Sequence, residues 1–140
     1  MNSLSSSFVI SSELSNIKSL FNWLESGLFK LIDNKEKVNA LSLMIQEALV
    51  NAIVHGNKNI KTKNVTLSYL LNDREVRIVI EDEGDGVDLC SQQKKHTNIR
   101  EEDLLQDSGR GIILMKYFCK DVIFKKNSIE MYLSNILIQS

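Results

Sequence analysis

Three short stretches of the sequence carry residue types that can do chemistry. The first is EALVNAIVHGN, residues 47–57, in which a carboxylate, an amide and an imidazole, those of Glu47, Asn51 and His55, recur every four residues. On a helix, positions four apart drift by only about 40°, so the three form one polar stripe. Leu41, Ile45, Ala48, Leu49 and Ala52 make one apolar face of the same helix, and Val50 and Val54 extend apolar surface to nearly the opposite side. Such a helix must be covered on most of its circumference. A buried carboxylate without partners is costly or shifts its pKa. The stripe therefore either faces a cavity or ligand, or closes into an internal hydrogen-bond network with His55 favourably placed at a helix C-terminus.

The second stretch is VRIVIEDEGDG, residues 76–86. Strand alternation puts Val76, Ile78 and Ile80 on one face, and Asp82 shares their parity. Asp82 is expected to point toward the core side at the strand end, where accepting a hydrogen bond from an exocyclic amine would satisfy it. Gly84 and Gly86 would let a flat ring approach the backbone. An ordinary acidic turn after a strand has the same pattern.

The third is SGRGIILM, residues 108–115. Gly109 and Gly111 lead into a helix with Ser108 as a possible cap, so free N–H groups and the positive dipole end face whatever precedes it, an arrangement suited to phosphate. Arg110 could add a charge-assisted contact to a terminal phosphate or to a partner. The P-loop pattern GxxxxGK[ST] is absent, and two glycines before a helix can also serve close packing alone.

The elements that must hold these residues follow from the rest of the chain. Its 140 residues, 43% hydrophobic, are about the size of one domain over 1–140 with one sizeable core. The 17 Lys plus Arg against 18 Asp plus Glu give a net charge of -1, so charge makes no case for nucleic-acid or anionic-membrane binding. Lys94, Lys95 and His96 read as a solvated loop. Cys90 and Cys119 form no metal-ligand spacing. The start lacks a secretory pattern, and no uninterrupted run reaches the roughly 18 apolar residues of a membrane span. A cytoplasmic protein with two reduced thiols is expected.

With no proline in the chain, glycines and polar clusters supply the punctuation. Residues 7–10 read as a short strand. Leu14, Ile17, Leu20, Phe21, Leu24 and Leu28 predict an amphipathic helix ending between Gly27 and Lys30, and a second helix runs from Asn34–Glu36 to Gly56. Strands are expected at 65–70 and 76–80, joined by a turn at Asn72-Asp73, then a long loop over 83–108. A short helix from Gly111 to about Phe118 precedes strands at 121–126 and 129–133. The sum is an α/β (α+β) two-layer sandwich. A loop of about 25 residues in so small a domain is itself a functional sign.

In this order, ExxxNAxxHGN, DxGxG at a strand end, a long loop and SGRGIxLM resemble the N, G1 and G2 boxes of the GHKL ATPase superfamily. Within it the chain looks most like the stand-alone anti-sigma factor serine kinases, down to residues 98–108 before the second glycine box. The resemblance leaves no segment for a dimerising phosphoacceptor helix pair. It implies the Bergerat-type histidine-kinase-like ATP-binding fold, a mixed, mostly antiparallel sheet covered on one face by helices, with an ATP lid over about 87–108. It also implies ATP and Mg²⁺ as cofactors. Asn51 would bind the Mg²⁺ that bridges the phosphates, and Glu47 would be general base on a serine hydroxyl. Asp82 would take the adenine amine, with Gly84 and Gly86 shaping its pocket. Gly109, Arg110 and Gly111 would hold phosphates under the closed lid, Ser108 and Ile112 would also belong to the nucleotide site, and His55 would stand beside the nucleotide in a supporting or structural role. The implied partners are a sigma factor, a STAS-type anti-sigma factor antagonist as phosphorylation substrate, and a second copy in a homodimer, with neither nucleic acid nor membrane contacted directly.

The chain departs from that pattern in two places. Asp85 stands between the glycines where the family often has proline, which implies a more flexible lid. The last strand of related proteins usually opens with Gly-Thr, the Thr holding adenine through water. Here Asn127-Ser128-Ile129-Glu130 puts Ile129 at that position, unless the alignment slips by one and Ser128 takes the task. The alternative function is thus a sequestering module, nucleotide-gated or nucleotide-independent, without kinase chemistry.

Overall fold

The structure, a computed structural model, describes residues 3–84 and 110–134. Gly86, Ser108, Gly109 and the expected lid lie outside the described residues. Strand β1 spans Leu4–Ser11, helix α1 Ile17–Ser26, helix α2 Lys35–Val50, strands β2 and β3 Asn64–Leu71 and Glu75–Glu81, helix α3 Arg110–Phe118, and strands β4 and β5 Asp121–Lys125 and Ser128–Ser134. The strand order is β1-β2-β3-β5-β4, and every pairing is antiparallel. The expected two-layer sandwich is the fold observed, and β3, which leads to Asp82, is its central strand.

The alternation in β3 decides which face is which. Val76, Ile78 and Ile80 are buried together with Leu133, Met131 and Ile129, their direct partners on β5. Opposite residues of an antiparallel pair share a face, so these six form the floor of the core. Leu20 and Leu24 of α1 and Met44, Ile45, Ala48 and Leu49 of α2 pack onto it. The first strand is longer than expected, and its Phe8 ring stacks on Trp23 of α1 at 5.1 Å. The predicted first helix is broken into a 3₁₀ turn at Leu14–Asn16, then α1, then a second 3₁₀ turn at Leu28–Leu31. Gly27 makes the break: a Cβ there would stand 3.0 Å from the Tyr69 hydroxyl.

Helix α2 begins where Asn34 accepts hydrogen bonds from the N–H groups of Glu36, at 2.9 Å, and Lys37, at 3.2 Å. It does not continue as an α-helix to Gly56. From Asn51 to Gly56 the backbone winds as a π-helix, and the Asn57 N–H reaches back five residues to the Ala52 carbonyl at 2.8 Å. Lys58 and Asn59 then take positive φ, 54° and 60°, to end it. The continuous helix Lys35–Gly56 is, by length and composition alone, long enough to cross a membrane. Here half of its most apolar window is buried in the fold and it carries Glu47, as the central helix of a two-layer core does.

Helix α3 packs against α2, with the Cys119 thiol donating to Met44 Sδ at 3.9 Å. Cys119 is a free thiol that burial pushes up to about 12, so it is unreactive at neutral pH.

Candidate functional site

Glu47 lies half-buried on α2, facing the first turn of α3. A Cβ at Gly111 would overlap the Glu47 Cβ and stand 3.0 Å from the Leu43 carbonyl. The second glycine box therefore performs close packing at Gly111, and Ile112, buried beside it, anchors the turn in the core. Burial raises the Glu47 carboxyl from 4.5 to about 6. Glu130 makes the contrast clear. Only 4% exposed, it nevertheless has its pKa lowered, because Lys125 donates to it at 2.7 Å and the Tyr132 hydroxyl at 2.8 Å. A carboxylate with a cation settles as an ion, whereas Glu47 is held near the range in which it can accept and release a proton.

One turn on, Asn51 opens the π segment, half-buried, its N–H directed to the Glu47 and Ala48 carbonyls. Among the described residues no three His, Cys, Asp or Glu side chains gather to hold a metal. An ion at Asn51 would draw most of its ligands from phosphate oxygens and water, which is the habit of Mg²⁺. His55 is exposed, so it takes no part in a buried network with Glu47.

At the far end of the stripe the first glycine box closes against the helix. A Cβ at Gly56 would collide with the Asp82 carboxylate, and one at Gly84 with the Gly56 carbonyl. The Gly84 N–H donates to Asp82 Oδ1 at 2.9 Å, and the Asp82 N–H to the Asn127 carbonyl at 2.8 Å. Asp82 is thus part of a backbone-tied turn, at the end of the core-facing row that alternation predicted.

Pairing also settles the last strand. Ile129 is opposite Ile80, on the face Asp82 shares, while Ser128 is opposite Glu81, on the other face. Ser128 therefore faces away from the side of the sheet that Asp82 shares. Ile129 occupies the position, 4% exposed, and offers no hydrogen bond.

Sequence reasoning missed Asn57. It is fully buried, and its amide joins three segments: the Glu83 N–H donates to Oδ1 at 2.7 Å, and Nδ2 donates to Ser12 Oγ at 2.7 Å and to the Asn64 carbonyl at 2.9 Å. The signal available was an amide directly after a helix-ending glycine, but its partners are distant in sequence.

Gly111 and Ile112 are therefore brought to Glu47, and Asp82 and Gly84 to Gly56, two clusters near the two ends of the helical segment 47–56, with Asn51 between them in the chain. The segment from Glu47 to Gly56 is on the order of 10 Å long, since only its α-helical part rises at about 1.5 Å per residue. Arg110 opens α3 at the Glu47 end. A separate groove of about 590 Å³ lies on the open face of the sheet between Ser7, Ser68, Arg77 and Glu130. It contains none of these residues, and the helices lie on the other side of the sheet.

The sequence matches the histidine kinase-like ATPase domain family over residues 10–133. It is similar to proteins named anti-sigma F factor: that of Shouchella clausii, 30% identical over 87 residues, covers 62% of this chain and 59% of the relative. That of Bacillus licheniformis is 33% identical over 88 residues, with 62% and 59% covered. That of Priestia megaterium is 28% identical over 119 residues, with 82% and 80% covered. The chain thus spans less than two thirds of the length of the first two relatives.

Proposed function

Since the chain belongs to the histidine kinase-like ATPase family, its match running from residue 10 to 133, we propose that it is an ATP-dependent anti-sigma factor serine kinase of the cytoplasm. In this reading it forms a homodimer, holds a sigma factor, and phosphorylates a serine on a STAS-type antagonist. The observation that carries the reading is Glu47: a carboxyl raised by burial to about 6, one turn from Asn51, on the helix whose last residue, Gly56, packs on Asp82.

Each residue of the site has a task. Glu47 aligns a serine hydroxyl and accepts its proton, worth about 10²–10⁴ in rate for a positioned base. Asn51 Oδ1 is a hard oxygen ligand fit for Mg²⁺ beside phosphate oxygens and water. Asp82 accepts from the adenine amine, and Gly84 leaves room for the ring. Ser108, Gly109, Arg110 and Gly111 lead into α3, whose first turn offers N–H groups to phosphate. Bound Mg-ATP supplies the transferable phosphoryl group.

Similarity to proteins named anti-sigma F factor supports the sigma factor and antagonist as partners. The test is incubation with labelled ATP and a cognate antagonist. Phosphate transfer is expected, and Glu47→Ala should lower its rate at least about 10²-fold while leaving Mg-ATP binding nearly intact. Transfer by the variant at the wild-type rate overturns the assignment. Ile129 supports a second reading, a module that sequesters its partner without chemistry. Under that reading neither protein transfers phosphate, although the partner still binds.

A further inference from the structure

A fully buried asparagine is expensive unless its amide is satisfied. Asn57 makes three side-chain hydrogen bonds, and their distribution is uneven in purpose. Nδ2 faces fixed structure, Ser12 Oγ just past the end of β1 and the carbonyl of Asn64, the first residue of β2. Ser12 Oγ is itself anchored, donating to the Lys63 carbonyl at 2.7 Å. Oδ1 faces the chain just beyond β3, accepting from the Glu83 N–H at 2.7 Å. Glu83 is the residue between Asp82 and Gly84, and Gly84 is already packed on the Gly56 carbonyl. The Glu83 side chain returns to the same place, its Oε1 accepting from the Asn64 N–H at 2.8 Å. Beyond Glu81 a single further bond, from the Asp82 N–H to the Asn127 carbonyl, continues the pairing of β3, and from Glu83 on the chain leaves the sheet and must be held by something outside it.

We propose that Asn57 is a positioning residue for base recognition: by holding the Glu83 N–H against the end of the π segment, it fixes the direction in which Asp82 meets the adenine amine. The role rests on the assignment of Asp82 to adenine made above. It predicts a defect confined to recognition of that amine. Packing around Asn57 contributes to stability as well, but a loss of stability would weaken all nucleotides alike.

Inosine triphosphate separates the two, since its base carries an oxygen where adenine carries the amine. By calorimetric titration with Mg²⁺ present, the wild type should prefer ATP over inosine triphosphate. Asn57→Ala should reduce that preference by about tenfold, the size of one well-aligned hydrogen bond, while its affinity for inosine triphosphate stays within about twofold. Asn57→Asp keeps an acceptor for the Glu83 N–H but loses the donors to Ser12 Oγ and the Asn64 carbonyl, so it should restore part of the preference. Should Asn57→Ala not fold, Asn57→Ser, whose hydroxyl is too short to reach Glu83, is read by the same ratio. A preference undiminished in Asn57→Ala or Asn57→Ser overturns the role of Asn57 alone. A wild type that binds both nucleotides equally overturns the adenine assignment of Asp82 and this role with it.

Discussion

The two ends of the helical segment 47–56 are built on opposite principles. At the Glu47 end a glycine of α3 presses against the aliphatic stem of half-buried Glu47, and burial alone moves its carboxyl to about 6. At the Gly56 end two glycines interlock with Asp82 and a fully buried amide ties three segments by bonds of 2.7–2.9 Å. The first end keeps a group whose protonation is easily changed. The second commits its polar groups to rigidity, as the base recognition proposed for it demands. The proposed function would divide the site in this way: orientation fixed by satisfied hydrogen bonds, and reactivity left to a group with few of them.

The same substitution at each end should break the two unequally. At Gly84 an added Cβ meets the Gly56 carbonyl, backbone that cannot move without shifting the helix end. Gly84→Ala should cost about 3 kcal/mol and abolish the magnesium-dependent thermal shift with ATP. At Gly111 the Cβ meets Glu47 and the Leu43 carbonyl, but alanine inside α3 recovers up to about 1 kcal/mol of helix propensity. Gly111→Ala should therefore be the milder, at about 1–2 kcal/mol, with nucleotide binding retained. Denaturant unfolding of both variants with and without Mg-ATP decides it, and equal losses would erase the distinction drawn between the ends.

Protons should distinguish the ends next. The proposed base must be ionised to act, so phosphoryl transfer should rise about tenfold per pH unit up to about pH 6 and level off above it. Stability runs the other way. A carboxyl whose folded pKa exceeds its unfolded value favours the folded state while protonated, so its contribution is full below pH 4.5 and is lost as pH rises to about 6. Discounted for the partial exposure of Glu47, the effect is about 1 kcal/mol or less, and Glu47→Gln should flatten that segment of the stability curve. Pre-steady-state transfer rates and unfolding midpoints over pH 4.5–7.5 measure both.

The smallest expected effect sharpens the rigid end. Ile129 shares the face of Asp82 without offering a hydrogen bond. Ile129→Thr places a hydroxyl there and should tighten ATP binding by a few fold, roughly one water-bridged hydrogen bond, at a cost of about 1–2 kcal/mol in core packing. Titration with ATP and inosine triphosphate reads the gain, and an unchanged ATP affinity would mean that the position does not look onto the base.

Much of this was legible in the chain itself. The four-residue spacing of Glu47, Asn51 and His55 announced an edge, and the parity of Val76, Ile78, Ile80 and Asp82 announced which way the acid points. Both inferences use periodicity within one element, where backbone geometry alone relates one residue to the next. The prediction for His55 was weaker for the same reason: the α-helical period no longer applies once the backbone winds into a π segment at Asn51, and His55 is exposed.

What only the tertiary structure decided lies between elements. Asn57 meets Ser12 across 45 residues and Glu83 across 26, Gly111 meets Glu47, and the register of β5 on β3 puts Ile129, not Ser128, on the face of Asp82. No local period encodes such pairs. They follow from how the hydrophobic faces of separate elements settle against one another, so the sequence by itself determined which side chains could do chemistry, and the packing of the core determined which of them meet.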